Sequence, residues 1–123
     1  MEASAEWDLF IDRFNDGRYV DCVLPLEHLW FAGRADFYKG LIRVCVALNQ
    51  LRLGLLTSPR FLLQTAHELL GPYAPQHHGL DVQALRAYIR QCLEIIPADL
   101  ETGQGSVDPA ALPLLHLTSH PGR

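Results

Sequence analysis

The sequence predicts an all-α protein, a compact bundle of about five helices with an irregular C-terminal tail. Apolar side chains recur at spacings of three and four residues in successive segments, the period of an amphipathic helix. Glycine or proline follows most of these segments, and none alternates apolar and polar residues as a half-buried strand does. The chain has 123 residues, 49% of them hydrophobic, which suits one domain with its own core. We therefore expect a helical domain over residues 1–97 and a Pro- and Gly-containing tail over residues 98–123, partly docked or mobile.

The first two predicted helices differ in how clearly they begin. Ser4 is the expected N-cap of the first helix and Gly17 its expected end; the apolar face consists of Trp7, Phe10, Ile11 and Phe14. The second segment, Tyr19 to Phe31, contains Pro25, which is costly inside a helix but tolerated in its first turn. We therefore expect this helix to start late, or to kink, between Asp21 and Pro25.

The third predicted helix, Asp36 to Leu53, is the most apolar and is expected to lie at the centre of the bundle. Gly54 suits its C-terminal end. Gly40 costs about 1 kcal/mol relative to alanine inside a helix, so we expect another helix to cross closely there. The few polar side chains form a narrow stripe of Lys39, Arg43 and Gln50.

Helices four and five are predicted from their start signals. Ser58 is expected to cap the fourth helix, with Pro59 at its first position. A loop over residues 73–80 follows. Asp81 is then expected to cap a fifth helix, which Pro97 ends.

Composition and charge indicate which kinds of partner and which cellular location the sequence favours. The formal net charge is -4 and the ten Lys and Arg residues are scattered, which disfavours a nucleic-acid partner. No uninterrupted apolar stretch has the length of a membrane span, and the first residues lack the pattern of a signal peptide. The sequence therefore predicts a soluble, cytoplasmic protein with free thiols at its three cysteines, Cys22, Cys45 and Cys92.

Several short motifs together resemble one known family. They are Phe14–Tyr19 (F-N-D-G-R-Y), Leu26–Trp30, Lys39–Val44 (K-G-L-I-R-V), Leu51–Gly54 and Gly79–Val82. In this order they resemble the domain-of-unknown-function 309 family of small all-helical proteins, over roughly residues 14–93. The resemblance implies a compact helical fold and no established reaction.

This sequence departs from the family pattern in its polar residues. The family has a His-Glu pair in its second helix, where Val23 and Leu24 stand here. Two glutamines of the family's third helix are replaced by Lys39 and Arg43. If the His-Glu pair carries chemistry in relatives, this chain lacks it.

Asp21 and Glu27 of the second helix are expected to face Lys39 and Arg43 of the third. One interpretation is a small-anion or carboxylate site, with an Arg fork and a Lys held in place by acids. The other is a set of salt bridges that closes a partly buried polar seam, because an isolated buried charge is costly. The second is favoured, since nothing in the sequence indicates a cavity.

Other chemistry has little support in the sequence. His77 and His78 are adjacent in a loop, and His116 and His120 lie in the tail, so no three ligands converge and no metal site is expected. Cys22 has no evident His base, and there is no nucleophile elbow and no glycine-rich phosphate loop. We therefore expect no cofactor and no catalytic residue, which favours a protein that is not an enzyme.

Two classes of function remain. The first is a non-catalytic module that binds a protein partner or itself, with Trp30 and Phe31 as interface candidates and the apolar run Leu112–Leu117 as a segment able to dock. The second is a small-anion or carboxylate-binding protein, or a weak enzyme, built on the polar seam between helices two and three. The first is favoured.

Overall fold

The computed structural model describes residues 3–54, 58–96 and 109–118. Over these ranges the chain forms five α-helices: α1 (Ala3–Asn15), α2 (Val23–Gly33), α3 (Asp36–Leu53), α4 (Pro59–Leu70) and α5 (Val82–Ile95). A two-stranded antiparallel hairpin, β1 (Gln76–His77) and β2 (Leu80–Asp81), lies between α4 and α5. The predicted all-α bundle with an irregular C-terminal tail is thus confirmed.

The starts of α1 and α2 test two predictions. Helix α1 begins at Ala3, so Ser4 lies inside it and the prediction that Ser4 is the N-cap is wrong. Alanine is the strongest helix former, and the residues on both sides of Ser4 are alanines, which extend the helix. A 3₁₀ turn at Val20–Cys22 precedes α2, and Pro25 is the third residue of α2. The predicted late start of this helix is confirmed.

Helix α3 lies at the centre of the bundle and packs against α2 and, most extensively, against α4. Its bounds are those predicted, and one of its faces is buried along the whole helix. A Cβ on Gly40 would lie 2.9 Å from Cγ of Leu70 in α4. The predicted close crossing is confirmed, because α4 occupies the space that any larger side chain would need.

The caps of α4 and α5 differ. The side chain of Ser58 makes no capping hydrogen bond; its backbone N–H instead donates to Oε1 of Gln50 at 3.4 Å. Ser58 thus occupies the N-cap position and Pro59 the first position of α4, as predicted, but the expected side-chain cap is not formed. At α5 the prediction is confirmed, since Oδ1 of Asp81 accepts from the N–H of Ala84 at 2.9 Å.

The segment predicted as a loop over residues 73–80 contains the β1–β2 hairpin. His77 pairs with Leu80, and the two residues between them, His78 and Gly79, have φ of +52° and +72°. A two-residue turn with two positive φ values matches the twist of an antiparallel pair. Strands of two residues are too short to show alternation in the sequence, which is why the pattern missed them.

The core is apolar, and among the described residues no polar or charged residue is fully buried. All three cysteines are free and buried, as predicted. In the tail, Leu117 is 4% exposed and packs against the core. Helix α5 ends at Ile95; Pro97, its predicted stop, lies outside the described residues.

Candidate functional site

Asp21 lies in the turn before α2 and interacts with arginines near it in sequence. Its Oδ2 accepts from Nε of Arg18 at 2.9 Å, and its backbone carbonyl accepts from the guanidinium of Arg13 at 3.0 Å. The Arg18–Asp21 pair is well exposed, so it contributes little to stability.

Lys39 and Arg43 lie together in a groove between α3 and α4, about 310 Å³ in volume. Arg43 donates to Oγ1 of Thr65 in α4 at 2.6 Å. Asp36 and Glu68 line the same groove, so its formal charges cancel.

Glu27 lies in a different groove, between α2 and α3. This second groove is about 570 Å³ in volume and is lined mainly by apolar side chains: Val20, Val23, Leu24 and Val46, with Asn49 and Gln50. We refer to this feature as the α2–α3 groove.

The four charged residues of the expected seam therefore line different parts of the molecule. In the part of the chain that the structure describes, neither Asp21 nor Glu27 forms an ion pair with Lys39 or Arg43. The spacing of Lys39 and Arg43 correctly placed them side by side on α3. It did not show that Arg43 reaches across to α4, away from α2.

Three large apolar side chains are exposed along one side of α2 and of the 3₁₀ turn that precedes it. Val20, Leu24 and Phe31 are 58%, 60% and 59% exposed, and spacings of four and seven residues place them in one row. Glu27 falls in the same row. We refer to Val20, Leu24 and Phe31 as the α2 stripe.

The two interface candidates lie at the C-terminal end of the α2 stripe. The ring centroids of Trp30 and Phe31 are 5.1 Å apart, and the guanidinium carbon of Arg34 lies 4.7 Å and 5.2 Å from them. Trp30 is half-buried, whereas Phe31 is exposed. Arg34, in the left-handed conformation, ends the helix and covers both rings.

A third cavity, about 330 Å³ in volume, was not anticipated from the sequence. It lies between the end of α1, α3, α5 and the tail segment 110–117, and its polar lining includes Tyr19, Arg52 and Tyr88. We refer to residues 110–117 as the C-terminal strap. The apolar run Leu112–Leu117 was the one feature of the sequence that indicated packing of this strap against the helices.

His77 and His78 belong to a cluster of aromatic side chains. The ring of His77 lies 4.5 Å from that of Phe37 and 4.8 Å from that of Tyr73, and His78 stacks on Tyr38 at 6.0 Å. Burial, and then the neighbouring His78, lower the pKa of His77. His120, the second histidine of the tail, lies outside the described residues.

In the described ranges these features define a small helical bundle with open grooves beside α3 and a cavity beneath its C-terminal strap. Residues 7–59 match the family model described as Domain of unknown function (DUF309), a segment that covers most of α1 and all of α2 and α3. The predicted resemblance is confirmed over this segment. Its extension to Gly79–Val82 lies beyond the match and stays a prediction.

No curated protein and no solved structure matches the chain. In the described ranges, no helix has the length and apolar character needed to cross a membrane.

Proposed function

We propose that this chain is a non-catalytic protein-interaction module that binds an amphipathic helix of a partner on the α2 stripe and the adjoining α2–α3 groove. The observation that carries the proposal is the α2 stripe itself. Single exposed apolar residues are ordinary on a protein surface, but three large ones in one row beside an apolar groove are typical of an interaction surface.

The shape of this surface favours a helix as the occupant. The row from Val20 to Phe31 runs for about 16 Å at a rise of about 1.5 Å per residue. A partner helix of three turns has the same length and presents apolar residues at matching spacing. Burying the exposed part of each stripe side chain contributes about 1–2 kcal/mol.

The charge of this surface favours a different protein over a second copy of this chain. Glu27 lies within the row and forms no ion pair with any described residue. A partner helix with a Lys or Arg opposite Glu27 supplies the missing charge and so sets the register. Two copies that paired through this row would bring their two Glu27 carboxylates close together, while the basic residue at the end of the row, Arg34, already lies over the rings of Trp30 and Phe31.

The absence of a His-Glu pair in α2 supports a non-catalytic role. Val23 and Leu24 line the α2–α3 groove at those positions, and neither has a group that transfers a proton or binds a metal ion. The groove is thereby more apolar than the family pattern implies.

The proposal is tested by cross-linking from the stripe, with a matched exposed phenylalanine as control. A photo-crosslinking phenylalanine analogue replaces Phe31, or Phe61 of α4, which is 55% exposed and lies off the stripe. We expect the analogue at Phe31, and not at Phe61, to link a helix with apolar anchors and a basic residue in a host-cell lysate. Leu24→Glu in the same protein is expected to abolish the link.

Three outcomes oppose the proposal. Equal cross-linking from Phe31 and Phe61 means that any exposed aromatic ring is sufficient for cross-linking, so the stripe is not a specific binding surface. Cross-links to this chain alone indicate self-association in place of a partner helix. A link that survives Leu24→Glu places the contact outside the stripe.

A second candidate function is binding of a small carboxylate at Lys39. The supporting observation is that Lys39 lines the α3–α4 groove beside Arg43, while its side-chain ammonium forms no ion pair or hydrogen bond with a described residue. Lys39→Gln with Arg43→Gln separates the two functions. Loss of a small-ligand shift with unchanged stability supports the anion site, whereas lower stability with intact partner binding supports a structural role.

A further inference from the structure

The cavity beneath the C-terminal strap has the walls of a small-molecule site. Its apolar lining comes from Leu48 of α3 and from three strap residues, Leu112, Pro113 and Leu114. A volume of about 330 Å³ is at the small end of the range for ligand pockets. The strap is held in place by Leu117, whose backbone is hydrogen-bonded to the side chain of Asn15 in α1.

Arg52 supplies a fixed cation at the edge of this cavity. Its guanidinium donates to the carbonyl of Gly17, in the turn after α1. Gly17 has φ of +74°, and a Cβ there would lie 3.3 Å from Nη1 of Arg52, so glycine permits this close approach. A guanidinium has five N–H donors, and the bond to Gly17 leaves others for a ligand.

Tyr19 supplies a neutral donor beside Arg52. Its hydroxyl forms no hydrogen bond with a described residue, although the side chain is half-buried. Burial raises the pKa of Tyr19, and the nearby guanidinium of Arg52 only partly opposes that rise. The hydroxyl therefore keeps its proton at neutral pH and can donate it to an anion.

We propose that this cavity binds a small monocarboxylate with a short apolar body. The carboxylate takes hydrogen bonds from Arg52 and Tyr19, and the apolar body packs against Leu48 and the strap leucines. The planar guanidinium of an arginine can donate two parallel hydrogen bonds to a carboxylate, which the ammonium group of a lysine cannot do. Asp16 lines the same cavity and disfavours a second negative group, which makes a monoanion the preferred ligand.

The test is a titration of isotope-labelled full-length protein, followed by its amide NMR spectrum, with three probes of equal chain length. Hexanoate has one carboxylate, hexanamide is its neutral analogue, and adipate carries a second carboxylate. We expect hexanoate to shift the amides of Gly17, Tyr19 and Arg52, and to bind about tenfold more tightly than hexanamide. Adipate is expected to bind more weakly than hexanoate because of Asp16.

Variants identify the donors. Arg52→Gln is expected to weaken hexanoate binding about tenfold, and Tyr19→Phe about threefold. Arg90→Gln, which removes an arginine of α5 that does not line the cavity, is the matched control and should leave the affinity unchanged. If Arg52→Gln fails to fold, the hexanoate affinities of Tyr19→Phe and Arg90→Gln still show whether the ligand binds in this cavity.

Several results would overturn the proposal. Equal affinities for hexanoate and hexanamide would show that the cavity recognises only apolar surface. Undiminished hexanoate binding by folded Arg52→Gln or by Tyr19→Phe would remove the assigned donors. Shifts confined to Lys39 and Arg43 would place the anion site in the α3–α4 groove instead.

Discussion

The side chain of Asn15 pairs with the backbone of Leu117 through two hydrogen bonds, across 102 residues of sequence. Nδ2 of Asn15 donates to the carbonyl of Leu117 at 2.8 Å, and its Oδ1 accepts from the N–H of Leu117 at 2.6 Å. The amide thereby satisfies both backbone groups of one strap residue, as a neighbouring β-strand would. It fastens the C-terminal strap to the end of α1.

Asn15→Ala is expected to lower the free energy of unfolding by about 1–3 kcal/mol, because it leaves the part-buried backbone groups of Leu117 unpaired. Amide exchange at Leu117 is expected to rise more than exchange in α3, since the strap loosens first. The control is Asn49→Ala, which changes an asparagine of the α2–α3 groove whose side chain makes no hydrogen bond within the described residues. An equal loss of stability in both variants would contradict a specific role for Asn15.

Gly40→Ala is expected to destabilise the protein by about 1–3 kcal/mol, although alanine is the better helix former. The added methyl would meet Cγ of Leu70 at 2.9 Å and Cβ of Leu69 at 3.4 Å, so α3 and α4 must separate. Gly33→Ala is the control, because a Cβ there has nothing within 4 Å. Denaturant unfolding of the two variants measures the difference. An unchanged free energy of unfolding in Gly40→Ala would mean that α3 and α4 can move apart without loss of stability.

The elements of the fold follow from local signals, and this is why they were predictable. The period of apolar residues defines α3, Pro25 delays the start of α2, and Gly40 marks the crossing with α4. Each of these signals acts within a few residues of the position it decides. The hairpin around His78 was missed because its strands are too short to carry a period.

The arrangement of the sites was less predictable because it depends on residues far apart in sequence. The spacing of Lys39 and Arg43 defines a row on α3, but a long arginine side chain can reach either neighbouring helix. The strap cavity joins Tyr19, Arg52 and Leu112, and no local pattern brings these three together. Exposure of the α2 stripe likewise depends on which face of α2 the other helices leave uncovered.

Asp81→Ala is expected to lower the free energy of unfolding by about 1 kcal/mol, while Ser58→Ala changes it little. Asp81 caps α5 through the N–H of Ala84, whereas the side chain of Ser58 caps nothing. The two substitutions therefore compare an N-cap residue whose side chain bonds to the helix with one whose side chain does not. Thermal and denaturant unfolding under the same conditions compare them. A larger loss in Ser58→Ala than in Asp81→Ala would reverse this assignment.

Stability is expected to fall as the pH drops below about 6.5, because the fold disfavours protonation of two histidines. Burial lowers the pKa of His67, and the charges of Arg86 and Arg90 lower it further against the opposing Glu68. Nδ1 of His67 lies 3.2 Å from Nη2 of Arg86, where only the unprotonated nitrogen can accept a hydrogen bond. His77 is affected in the same direction, by burial in the aromatic cluster and by His78.

The sign of this pH dependence follows from which state binds the proton more tightly. Histidines with a lowered pKa in the fold protonate first in the unfolded chain, so acidification through the unfolded pKa favours unfolding. Above that pH both states are neutral at these positions and the contribution is complete. Denaturant unfolding between pH 7.5 and about 5.5 measures the slope, above the range where carboxylates titrate. The double variant His67→Gln, His77→Gln is expected to flatten it; a slope equal to that of the unsubstituted protein would assign the effect to other groups.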